Sequence, residues 1–162
     1  MQSPIPNDPD QLTLIDPRTL EVTLRKGYCL ILDFKDFQVP QAKQRNGSEK
    51  DVSALQDTFS HLGAEVRTCT DILTSDGVRK EILALQKIDW TKYDHLVVVI
   101  MSHGELGNFR TSGGEFFETE EFRKGVCACP LLDGKPKFFV INACRGESDH
   151  PGKLCSKSIL SF

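Results

Sequence analysis

The stretch His95-Leu96-Val97-Val98-Val99-Ile100-Met101 is apolar at every position after its first and breaks off into Ser102-His103-Gly104. A strand with one wet face would alternate apolar and polar residues. An unbroken, β-branched run marks a strand buried on both faces, as in a parallel sheet. Three further runs share this character: Tyr28-Cys29-Leu30-Ile31-Leu32-Asp33-Phe34, the weaker Ala64 to Cys69, and Pro136 to Ala143. Between them apolar residues return at helical spacing. Val52, Leu55, Phe59 and Leu62 form one stripe, and Val78, Ile82 and Leu85, with Ile88 beyond, form another. A shorter helix is expected over about Glu118 to Val126. The order strand, helix, strand, helix, strand, short helix, strand predicts an α/β fold whose sheet is largely parallel and flanked by helices.

Outside this frame the chain is less patterned. Residues 1–26 are proline-rich with little periodicity and read as a short extended leader, with no room for a folded module. Gly104, Gly107, Gly113 and Gly114, with Phe109 and Phe116-Phe117 around them, predict a small hairpin over the end of the sheet. The main domain is expected over 27–147. Residues 148–162 read as an irregular tail, ending in Ser158-Ile159-Leu160-Ser161-Phe162 with nothing after it to pack against.

Composition narrows the class. The 162 residues are 39% hydrophobic and 27% charged, as in a globular domain. Twenty lysines and arginines against 23 aspartates and glutamates leave a formal charge of −3, which disfavours an electrostatic nucleic-acid binder. The longest apolar run, Leu96 to Met101, is far too short to span a membrane, and the start lacks the layout of a secretory signal. A reducing, cytoplasmic location is therefore expected, with most of Cys29, Cys69, Cys127, Cys129, Cys144 and Cys155 as free thiols. Cys127-Ala128-Cys129 lacks a second ligand pair at metal spacing, so neither metal nor cofactor is expected.

In open α/β sheets, sites form beyond the carboxyl ends of the strands. Here one buried strand ends in His103-Gly104 and another in Cys144-Arg145-Gly146. Taken singly, such a cysteine is most often a small core residue and such a histidine a turn residue. Together they could face each other across one crevice and perform acyl transfer. A Cys144 thiolate would attack a carbonyl and the His103 imidazole would manage the proton of the leaving amine. The backbone N–H groups of Gly104 and Cys144 would receive the oxyanion.

Asn142-Ala143-Cys144-Arg145-Gly146 resembles the nucleophile signature of the caspases, with the histidine 144 − 103 = 41 residues upstream. Three more stretches resemble caspase large-subunit sequence, in family order. They are Arg45-Asn46-Gly47-Ser48 with Asp51 and Leu55, Met101-Ser102-His103-Gly104-Glu105, and Gly134-Lys135-Pro136-Lys137. The resemblance covers about Gly27 to Glu147 and implies a caspase-like sheet and a cysteine endopeptidase cutting after aspartate, in apoptosis or innate immune signalling. It implies Cys144 as nucleophile, His103 as the catalytic histidine, Gly104 and Cys144 as oxyanion amides, and Arg45 as one of two arginines holding the substrate aspartate. A guanidinium fork suits that carboxylate.

Two departures qualify what the resemblance implies. Asn142 stands where the family usually has glutamine, one methylene longer, so a donor in the aspartate pocket could fall short. Such an unfilled bond costs about 1–3 kcal/mol. The strands, second arginine and groove of a caspase small subunit also have no counterpart after Glu147. A sheet cut off at Pro136 to Ala143 would expose an apolar edge, to be covered by a small-subunit chain, another caspase or a second copy. The enzyme is thus expected to be inactive without a small subunit. The competing expectation is a truncated homologue that binds and modulates another caspase without proteolysis of its own. A small-molecule-binding domain of flavodoxin-like topology would need a phosphate-cradling glycine loop after the first strand, and Asp33-Phe34-Lys35-Asp36-Phe37 offers none.

Overall fold

The computed structural model describes residues 12–14, 22–143 and 157–161, with side chains for 24–143. Its central sheet holds five strands, in the order Lys157–Ser161 (β10), Lys137–Ala143 (β9), His95–Ser102 (β5), Gly27–Asp33 (β3) and Ala64–Thr70 (β4). β4, β3, β5 and β9 run parallel, as the unbroken apolar runs predict. Every residue of β3 and of β5 is buried, because helices cover both faces.

The two faces divide the core. Tyr28, Leu30 and Leu32 of β3, with Leu96, Val98 and Ile100 of β5, pack against Val78, Ile82 and Leu85 of helix Ser75–Gln86 (α2) and Phe122 and Val126 of helix Thr119–Cys127 (α3). Cys29, Ile31, Val97, Val99 and Met101 form the other face, packed by Val52, Leu55 and Phe59 of helix Ser48–His61 (α1). The α1 stripe is half-buried where that of α2 is fully buried. Gly63, at φ 79°, lets the chain turn from α1 into β4. The Thr74 side chain accepts from the Gly77 N–H and starts α2.

The expected hairpin is a three-stranded antiparallel sheet of Gly104–Glu105 (β6), Asn108–Arg110 (β7) and Phe116–Glu118 (β8), sealed onto the core by Phe109 and Phe117. Two regions differ from the sequence reading. Within the stretch read as an extended leader, Leu12–Leu14 (β1) and Val22–Leu24 (β2) pair antiparallel, and the N–H groups of Arg25 and Lys26 both donate to Asp94 Oδ2. Within the stretch read as an irregular tail, β10 pairs antiparallel with β9 from Lys157↔Ile141 to Ser161↔Lys137. The apolar edge expected to need a second chain is thus met by this chain's own segment. Unpaired strand groups take whatever extended backbone can reach them, and a five-residue segment suffices.

Candidate active site

Parallel pairing sets the site. Asp33 lies opposite Met101, Met101 opposite Asn142, and Ser102 opposite Ala143. The carboxyl ends of β3, β5 and β9 are therefore level. His103 and Cys144 are each the next residue after the paired Ser102 and Ala143. Cys144 itself lies outside the described residues, and so does its N–H.

His103 is half-buried at the end of β5 and its Nε2 lies 2.6 Å from the Lys43 carbonyl oxygen. A carbonyl can only accept, so Nε2 is the donor here and Nδ1 is the ring nitrogen left for proton exchange. The Phe37 ring lies 4.9 Å from the imidazole centroid and steadies it from the side. Gly104, next in the chain, opens β6 opposite Phe109. An imidazole held this way can take or give a proton at Nδ1.

Arg45 lies in the loop between β3 and α1. Its Nη1 donates to Asp33 Oδ1 at 2.8 Å and to the Phe34 carbonyl at 3.1 Å, and its side chain is 15% exposed. Asp33 Oδ2 accepts from the Ser48 hydroxyl at the start of α1. Nη2 and Nε have no partner among the described residues, and they form an edge able to receive a carboxylate. Asn142 is exposed on β9.

Three of the other described thiols are poor nucleophiles or buried. Burial pushes Cys29 up to about 12 and, with help from Glu81, Cys69 up to about 11. Cys129 is buried. Among the described residues no group of His, Cys, Asp or Glu could hold a metal ion, and no helix is long and apolar enough to cross a membrane.

Sequence reasoning missed Lys43 and Asp33. Lys43 acts through its backbone carbonyl, which no side-chain pattern reveals. Asp33 left a signal, a charge ending a run that is otherwise apolar.

A parallel sheet whose neighbouring strands lead in sequence into a histidine and a cysteine is the pattern of one known family. The family model of the caspase domain matches residues 26–159. Similar proteins include caspase-1 of Drosophila melanogaster, 31% identical over 83% of this chain and 42% of its own length. Caspase-8 of Mus musculus is 33% identical over 78% of this chain and 28% of its own length. Caspase-3 of Mus musculus is 35% identical over 74% of this chain and 44% of its own length. The chain belongs to the caspase family, and it spans less than half the length of these relatives.

Proposed function

We propose that this chain acts as the large-subunit part of a caspase-type cysteine endopeptidase that cuts proteins after aspartate. The observation that supports the reading is the level ending of β5 and β9, Ser102 opposite Ala143, with His103 and Cys144 the next residues in the sequence. The Cys144 thiolate attacks the scissile carbonyl and the tetrahedral oxyanion is received by the N–H groups of Gly104 and Cys144. His103 Nδ1 first takes the proton of the Cys144 thiol and then delivers it to the nitrogen of the leaving amine as the C–N bond breaks and a thioester remains, while Nε2 stays bonded to the Lys43 carbonyl. Water then attacks the thioester, with His103 taking its proton, and frees the thiol. Arg45 offers Nη2 and Nε to the substrate aspartate, with Asn142 contributing an amide to the same pocket.

This role needs a caspase small-subunit chain, or another caspase, to supply the rest of the groove, and the proposal includes cytoplasmic work in apoptosis or innate immune signalling. Docking of that chain onto β9 requires β10 to leave the edge. Asn142, shorter than the usual glutamine, favours a second reading in which the chain binds and modulates another caspase without cutting. The test is labelling of Cys144 by an aspartyl peptide with an electrophilic warhead, on the chain alone and with a caspase small subunit. Labelling that appears with the small subunit and vanishes in Cys144→Ala supports the protease. A folded chain that binds a caspase yet is never labelled leaves the modulator.

A further inference from the structure

Asp71 has no part in the chemistry above. It follows β4 directly and holds φ at 50°, the one non-glycine residue with positive φ among those described. Asparagine and aspartate tolerate that backbone better than other residues because their short side chains bond locally. Here the side chain does more. A single oxygen, Asp71 Oδ1, accepts from the Lys35 N–H at 2.7 Å, the Asp36 N–H at 2.8 Å and the Ser112 hydroxyl at 2.9 Å. The Asp71 N–H in turn donates to the Asp33 carbonyl. Ser112 is fixed separately, its N–H on the Ile72 carbonyl and its own carbonyl accepting from Gln38.

The backbone held there is the root of the loop that carries the site. Lys35 is the joint: its N–H is on Asp71, and its carbonyl accepts from the Arg45 N–H at 3.1 Å. Between these two bonds the loop presents Phe37 to the His103 ring and the Lys43 carbonyl to His103 Nε2. Moving Lys35 therefore moves Arg45 and releases the acceptor that sets the histidine tautomer.

The geometry points to Asp71 as a positioning residue whose Oδ1 sets the loop of residues 34–45 and, through it, the orientation of His103 and the placement of Arg45. The inference rests on the protease reading for the importance of those two groups. Its own content, that Asp71 controls them, stands apart from whether the chain cuts anything. A residue serving only the turn would be replaced without consequence by glycine, which accepts a φ of 50° freely. Asparagine keeps both the backbone tolerance and an Oδ1 acceptor.

The test uses the full chain and the variants Asp71→Gly, Asp71→Asn and Ser112→Ala, read by NMR of the His103 ring nitrogens and by amide exchange. Asp71→Gly is expected to mix the two His103 tautomers and to speed exchange at Lys35 and Asp36 about tenfold, with β3 and β5 unchanged. Asp71→Asn is expected to restore both readouts. Ser112→Ala, which leaves the turn backbone alone, is expected to move them in the same direction by less, and it carries the test should Asp71→Gly not fold. Ring nitrogens unmoved in Asp71→Gly, or in Ser112→Ala where glycine fails to fold, overturn the inference, as does an asparagine variant that behaves like glycine. Failure of the protease reading registers elsewhere, as absence of Cys144 labelling in the unmutated chain with its small subunit.

Discussion

Arg45 Nη1 lies 2.8 Å from Asp33 Oδ1, in an ion pair whose carboxylate is only 3% exposed. The residue proposed to meet a substrate carboxylate is thus already bound to one of the protein's own. The fixed carboxylate aims the guanidinium, with Nη1 turned inward and Nη2 and Nε left without a partner among the described residues. It also dilutes the charge that a substrate aspartate would meet. Arg45→Ala leaves Asp33 buried with the Ser48 hydroxyl as its remaining side-chain partner. The expected cost is about 3 kcal/mol of folding stability in urea denaturation. Adding Asp33→Asn should recover part of that loss, because the buried charge goes with it. A loss below about 1 kcal/mol for Arg45→Ala would mean that water screens the pair.

His103 is expected to matter for reaction and little for folding, since it is half-buried and bonded to a loop carbonyl. In His103→Ala, assayed with a complementary small subunit, warhead labelling of Cys144 should slow by about 100-fold or more. The melting temperature should barely change. Equal labelling rates with and without the imidazole would show that His103 does not manage the proton.

The histidine at the other end of β5 behaves differently. His95 is 4% exposed and stands edge-on to Phe138, and its Nδ1 has no hydrogen-bond partner among the described residues. Burial lowers its pKa from 6.5, and the neighbouring Asp94 charge opposes this only in part. The unfolded chain therefore binds a proton more readily than the folded one. The stability His95 contributes is complete above about pH 6.5 and is lost as the pH falls through the lower folded value. Urea midpoints should drop between about pH 7.5 and about pH 5.5, and less so in His95→Leu. An identical drop in the leucine variant would assign the acid sensitivity to other groups.

How much of this was legible beforehand follows from what each feature is made of. The parallel sheet and α2 rest on side-chain burial, so the runs in β3, β5 and β9 and the Val78, Ile82, Leu85 stripe announce them. The histidine and the strand ends could be placed because a parallel register needs only those runs. Lys43 and Lys35 act through the backbone, and Asp71 acts on backbone N–H groups far from it in sequence, so no local pattern carries them. β1, β2 and β10 escaped for a different reason. Each is short and its pairing is a main-chain matter, and Lys157–Ser161 becomes a strand only because β9 presents an edge. Cys144, the center of the motif, lies outside the described residues, so its role stands on the sequence signature and on the position of Ala143.

That edge gives the last expectation. Deleting residues 157–162 removes β10 and leaves β9 with a row of unpaired N–H and C=O groups from Lys137 to Ile141. The flanking residues Phe138, Phe139, Val140 and Ile141 are apolar and offer none of the charges that discourage edge-to-edge pairing. The shortened chain should therefore self-associate at concentrations where the full chain does not, read as a rise in sedimentation coefficient with concentration. A caspase small-subunit chain added in excess should suppress that association by taking the same edge. If the shortened chain sediments like the full one at every concentration, β10 is not what protects the edge, and docking a partner would not require its departure.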